Sequence, residues 1–86
     1  FDDIELLTLF TWNEEEFLFK TRGSAIRRIG YQQWQRNLAV GLGNSQGNTE
    51  VLRVLKRRFK ASSSLVRDHI SWAIKQQREK LGYKSD

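Results

Sequence analysis

Apolar residues return every three or four positions along this chain, and no stretch alternates with period two over the length of a strand. The pattern predicts an all-α chain of about five to six helices. DDIELLTL (2–9) reads as a short helix with acids in its first turn, where they suit the helix dipole. TWNEEEFLFKTRG (11–23) carries a start signal: Asn13 as cap, Glu16 at the third helical position to complete a capping box, and Trp12 and Phe17 placed for a hydrophobic staple. Gly23 is expected to end that helix in the C′ manner. Ser24 can cap a short turn over Ala25–Ile29, which Gly30 breaks. From Tyr31 to about Leu42, the residues Tyr31, Trp34, Leu38 and Leu42 form one stripe, with Arg36 pointing nearly the other way. Gly43-Asn44 closes this helix, and SQGN is a turn.

The stretch 48–60 has the sharpest two-sided pattern. Val51, Leu52, Leu55 and Phe59 form its apolar side, and Arg53, Lys56, Arg57 and Lys60 cluster opposite. The serines after Ala61 can cap a last helix, about 64 to 81, that buries Val66, Ile70, Ala73, Ile74 and Leu81 and ends near Gly82. Its tail, KQQREKLGYKSD, turns polar. WQRNLAVGLGN (34–44) aligns with VRDHISWAIKQ (66–76) at an offset of 32, with small residues matched at Gly41 and Ala73, as close helix packing requires. A helix pair recurring at that interval is the mark of a short right-handed α-solenoid of HEAT-like repeats. The expectation is one helical domain over 1–86, with lead-in helices in 1–30 and HEAT-like helices in 31–82. The alternative is two unrelated amphipathic helices.

Charge changes the picture. Residues 1–16 hold six acids and no Lys or Arg; residues 17–86 hold fifteen basic residues and four acids, a net of +11. That asymmetry points to a polyanion, most simply a nucleic acid, against the plainer reading of a solvated basic surface. The chain has no Cys, so it offers neither disulfide nor thiolate ligands. It lacks an initiator Met and starts in mid-pattern, as a piece of a longer protein would. No apolar run nears the roughly 18 residues of a membrane helix, and no signal peptide is visible. A cytoplasmic origin without membrane contact is expected.

Catalytic chemistry is poorly served. The single His69 flanks an apolar face, where a packed or edge role outweighs that of base or ligand. The EEE run is helix-start chemistry. The glycines at 41 and 43 stand late in a helix, not between strand and helix as a phosphate loop needs. No catalytic or metal-ligating residue is assigned. Nucleic-acid contacts are better supported. Arg22, Arg27 and Arg28 surround a helix start at Ser24, where backbone N–H groups and guanidinium groups together suit phosphate. The face formed by Arg53, Lys56, Arg57 and Lys60 has the spacing to track several phosphates. Trp34 and Trp72 read as core packing, whereas Tyr31 is more open to stacking on a base. Asn37 can bond RNA or a neighbouring helix's backbone.

The block from Trp12 to Asn44 resembles the C-terminal part of epoxyqueuosine reductases. The resemblance rests on Trp12, Glu14 and Phe17, then Gly23, Ser24, Ile26, Arg27 and Arg28, then Arg36, Asn37, Ala39, Val40, Gly41, Leu42, Gly43 and Asn44, and extends through HISWAIKQQ to cover roughly 8–78. Gln35 departs from it, since a Leu is usual there. It lies off the apolar stripe, and the departure puts little of the resemblance in doubt. The resemblance implies a parent oxidoreductase that reduces epoxyqueuosine to queuosine at the tRNA wobble position, using cobalamin and two 4Fe–4S clusters held outside this chain. This chain would then be a C-terminal domain, not itself catalytic, that holds the tRNA anticodon region beside the parent's N-terminal catalytic domain. Arg22, Arg27, Arg28 and Arg36 become its foremost tRNA contacts. The rival is a HEAT-like protein-interaction scaffold with no nucleic-acid role.

Overall fold

A computed structural model describes residues 2–83; residue 1 and residues 84–86, which end the polar tail, lie outside the described residues. The described chain is all-α. It comprises α1 (Asp3–Phe10), α2 (Glu14–Lys20), a 3-10 turn (Ala25–Ile29), α3 (Tyr31–Asn44), α4 (Thr49–Ala61) and α5 (Ser64–Leu81). The local start signals work as chemistry requires. The Asn13 side chain accepts from the Glu16 N–H at 2.8 Å, and Glu16 reaches back to the Asn13 N–H. Asn48 caps α4 and Ser63 caps α5 in the same way. Two ends differ from expectation. α2 stops at Lys20 with Thr21 as its C-cap, whose N–H and hydroxyl both donate to the Phe17 carbonyl; Gly23, at φ +75°, turns the chain after the helix is over. α3 runs on to Asn44, because Gly43 is a packing position inside the helix and not its terminus.

α3 is the central element. It packs on α5 along much of its length and meets α1, α2 and the 3-10 turn on other sides, while α4 packs on α5. Its aromatic end is stapled by Trp34, whose ring stacks on Trp12 at 5.3 Å and tilts against Phe17 at 4.8 Å. Phe10, Phe17, Leu42, Leu55 and Ile70 are fully buried and fill the space between the helices. Burying a side chain of this size contributes roughly 1.5–3 kcal/mol, so these five carry a large share of so small a core.

The two glycines late in α3 serve different neighbours. A Cβ on Gly43 would sit 2.5 Å from the Trp72 ring and 3.0 Å from the Ala73 Cα, so Gly43 sets the α3–α5 approach. A Cβ on Gly41 would meet only the Leu6 side chain of α1, at 3.3 Å. Trp72 is thus not the core residue expected from its helical spacing. It stays 39 % exposed and lays one ring edge over Gly43. The helices aligned by sequence, α3 and α5, are direct neighbours, an arrangement compatible with stacked repeats.

One buried polar cluster closes the far end of α3. Gln77 is wholly buried on α5; its amide nitrogen donates to the Leu42 carbonyl at 2.8 Å and to Ser45 Oγ, and its amide oxygen accepts from the Asn48 N–H at 2.9 Å. Lys80 adds its ammonium to the Gly43 and Ser45 carbonyls at 2.8 and 2.6 Å. A helix C-terminus leaves its last carbonyls without intrahelical donors, and a cation there also suits the dipole. The α3–α4 turn is thereby pinned to α5.

Candidate nucleic-acid interface

The residues predicted to contact a polyanion fall into separate groups. Ser24, Arg27 and Arg28 line one open cleft of about 520 Å³ at the 3-10 turn. Both arginines are exposed, and neither meets a carboxylate among the described residues. The Ser24 hydroxyl is occupied in accepting from the Ile26 N–H at 3.2 Å. The turn has only five residues, so its dipole is small and the arginines supply nearly all the attraction. Arg22 stands at the edge of this region, bonded to the Phe19 carbonyl at 3.3 Å and stacked 4.4 Å from the Phe19 ring. Leu18, Phe19, Ile26 and Ile29 are exposed beside these cations.

On α3 the structure redirects three residues. Arg36 does not face open solvent. It is half-buried against α5, where its Nε donates to His69 Nε2 at 3.0 Å. His69 Nδ1 lies 3.1 Å from the Leu65 carbonyl, so an Nδ1–H tautomer leaves Nε2 free to accept. Among the described residues Asn37 bonds to no neighbouring helix's backbone; it accepts from Gln33 on its own helix at 2.9 Å and remains exposed. The Tyr31 hydroxyl is committed twice: it donates to the Trp12 carbonyl at 2.6 Å and accepts from Arg58 at 2.8 Å. Burial pushes its pKa above the ordinary 10.0, partly offset by the neighbouring Arg58 guanidinium.

α4 presents Arg53, Lys56, Arg57 and Lys60 to solvent, as its pattern predicts. Arg53 is paired with Glu50 on the same helix, which spends part of its charge locally. Lys56 joins Phe59, Ser71, Ile74 and Arg78 around a shallow α4–α5 groove. These α4 residues and the arginines of the 3-10 turn line different clefts.

Several polar residues of consequence had been given no role by the sequence pattern. Arg67 caps the end of α4 through the Phe59 and Lys60 carbonyls, both at 3.0 Å. Gln77 forms the clamp described above. Gln35, which lies off the apolar stripe, is nevertheless 1 % exposed, because α3 is packed on more than the one side that a single stripe implies. Neither of its amide atoms has a hydrogen-bond partner among the described residues, nor has Arg58 Nε. A basic residue near a helix end hints at Arg67; no local signal marks the two glutamines.

The described residues contain no cluster of metal-ligating side chains, and the chain contains no Cys. Iron–sulfur ligation therefore has no donor set here, and no redox step is derived from these residues. No described helix is long and apolar enough to cross a membrane.

The comparisons with known proteins agree with one another. The chain is 53 % identical over 78 residues to an epoxyqueuosine reductase of Pseudomonas aeruginosa, covering 91 % of this chain and 22 % of that protein. It is 54 % identical over 77 residues to the enzyme of that name from Shewanella oneidensis, covering 86 % of the chain and 19 % of the relative. The Escherichia coli protein is 51 % identical over 76 residues, covering 88 % and 20 %. No family model and no solved structure matches the chain. The chain spans about a fifth of the length of the curated relatives it matches. Half its residues are shared with them over nearly its whole extent, and on that ground the chain belongs to the epoxyqueuosine reductase family.

Proposed function

We propose that this chain is the C-terminal domain of an epoxyqueuosine reductase and that it grips the anticodon region of tRNA. In this reading the rest of the parent reduces epoxyqueuosine to queuosine at the wobble position in the cytoplasm, supplying the cobalamin and the iron–sulfur clusters. The helices here form a short HEAT-like stack that carries no chemistry of its own. The observation that supports the reading best is the pair Arg27 and Arg28 with Ser24 at one open cleft, without carboxylate partners among the described residues, in a chain whose basic excess lies wholly after residue 16. Guanidinium groups without local acids are free to meet phosphate oxygens, often in bidentate pairs. Each phosphate contact releases counterions, so affinity falls steeply with salt.

The test is binding of an anticodon stem-loop RNA across a salt series. Replacing Arg27 and Arg28 by Ala is expected to weaken binding and to reduce the salt slope by about two, one for each lost phosphate contact. Unchanged affinity in a folded double variant would overturn the assignment. A second reading is favoured by the exposed Phe19, Ile26 and Ile29 beside the same arginines. There the corner docks the parent's N-terminal catalytic domain, and RNA is held elsewhere. An apolar interface of that kind would bind with little salt dependence.

A further inference from the structure

Between the start of α2, the start of α3 and the α4–α5 corner lies a polar cavity of about 200 Å³. Glu14, Tyr31, Gln32, Gln35, Arg58 and Ser63 are among its lining. Two of these lining residues carry the unpaired groups found above, Gln35 Nε2, Gln35 Oε1 and Arg58 Nε, all buried beneath the cavity surface. A buried polar atom without a partner costs roughly 1–3 kcal/mol, so three on two residues of one cavity need a reason. The neighbouring polar atoms do not relieve them. The Tyr31 hydroxyl is used by Trp12 and Arg58, the Ser62 hydroxyl donates to the Arg58 carbonyl at 2.7 Å, and Ser63 caps α5.

The orphaned set has a definite chemistry. The amide offers one acceptor beside one donor, and Arg58 Nε adds a second donor. A phosphate would satisfy the two donors and leave Gln35 Oε1 unmet. A ligand with its own donor beside an acceptor satisfies all three, and the edge of a nucleobase is such a ligand; glutamine reads adenine in this bidentate way. The volume is far above the roughly 30 Å³ share of a single water and below the 300–1,000 Å³ of pockets for drug-sized ligands, which suits one planar heterocycle. We propose that this cavity receives a single unpaired base of the bound RNA, read through Gln35 and Arg58. The proposal rests on the RNA-binding reading above. The Gln35 amide lies beneath the cavity surface, so entry requires a rim side chain to swing. Gln32 is exposed at that rim, and the Arg58 Nη2 bond to the Tyr31 hydroxyl is the contact that would have to give. Proteins that read RNA sequence characteristically take splayed loop bases by their edges.

The experiment is anisotropy titration of anticodon stem-loop RNA with the wild-type chain, Gln35→Leu and the Arg27→Ala/Arg28→Ala double variant, with helicity checked by circular dichroism. Gln35→Leu is expected to bind about tenfold more weakly with an unchanged salt slope, because a base contact and no phosphate contact is lost. Abasic substitution of one loop nucleotide should weaken the wild type by a similar factor and Gln35→Leu no further, as coupling between the two groups demands. Wild-type affinity in Gln35→Leu, with binding still lost in the double arginine variant, would overturn the base pocket alone and leave the cavity to ordered water. Should the wild type fail to bind RNA at any salt, both readings fall together. If Gln35→Leu does not fold, the abasic scan of the wild type decides: no loop position with a loss near tenfold sinks the proposal.

Discussion

Two buried glutamines, 42 positions apart, stand at opposite ends of the α3–α5 pair and are treated in opposite ways. Gln77 uses its amide nitrogen and oxygen on Leu42, Ser45, Gln46 and Asn48. Gln35 is nearly as deeply buried, and its amide has no hydrogen-bond partner among the described residues. The first is a fastening: a buried polar group with every demand met adds stability and fixes one geometry. The second is a liability to the folded chain, of the kind tolerated where a site requires it. The contrast separates the molecule into a closed end whose buried polar groups are paired and a corner whose buried polar groups are not.

The comparison can be broken by mutation. The largest effect is expected at the closed end. Gln77→Leu keeps the volume but strands the Asn48 N–H, and should cost about 3 kcal/mol in urea denaturation. Gly43→Ala comes next at about 2 kcal/mol, because its new methyl meets the Trp72 ring and the α5 backbone. Gly41→Ala is the control, since only the tip of the Leu6 side chain, at 3.3 Å, stands in the way and Ala favours helix. At the open corner the sign reverses: Gln35→Leu should raise stability by about 1 kcal/mol, since it removes unpaired groups and replaces them with apolar contact. A loss comparable to that of Gln77→Leu would end the distinction. The smallest effect concerns pH. Tyr31 holds its proton more tightly folded than unfolded, so its contribution is full below pH 10.0 and declines as pH rises above it, through the raised folded pKa. Tyr31→Phe should abolish that part of an alkaline melting profile.

What sequence could foresee follows the range of the interactions. The Asn13–Glu16 box, the Ser63 cap, the turn at Gly30 and the stripe through Trp34, Leu38 and Leu42 are settled within a few residues, and the structure has them where the pattern put them. The cationic cluster at Ser24, Arg27 and Arg28 was legible for the same reason. Arg36 and Trp72 were misplaced because a helical wheel assumes one buried side, while α3 has several neighbours and α5 crosses it at a glycine. The roles of Gln77 and Lys80 depend on partners 29 to 37 positions away, and Gln35 lines a cavity with residues of other helices, all beyond any local pattern.

The Gln77 clamp has a consequence in time as well as in structure. It joins residues 29 to 35 positions apart, and a loop of that length must close before any of its bonds can form. We expect the helices to dock first and the clamp to lock afterwards, as the final step of assembly. Gln77→Leu should then leave the refolding rate nearly unchanged and speed unfolding, as stopped-flow measurements would show. An interaction acting this late serves as a latch: it lengthens the lifetime of the folded domain without guiding the chain to it.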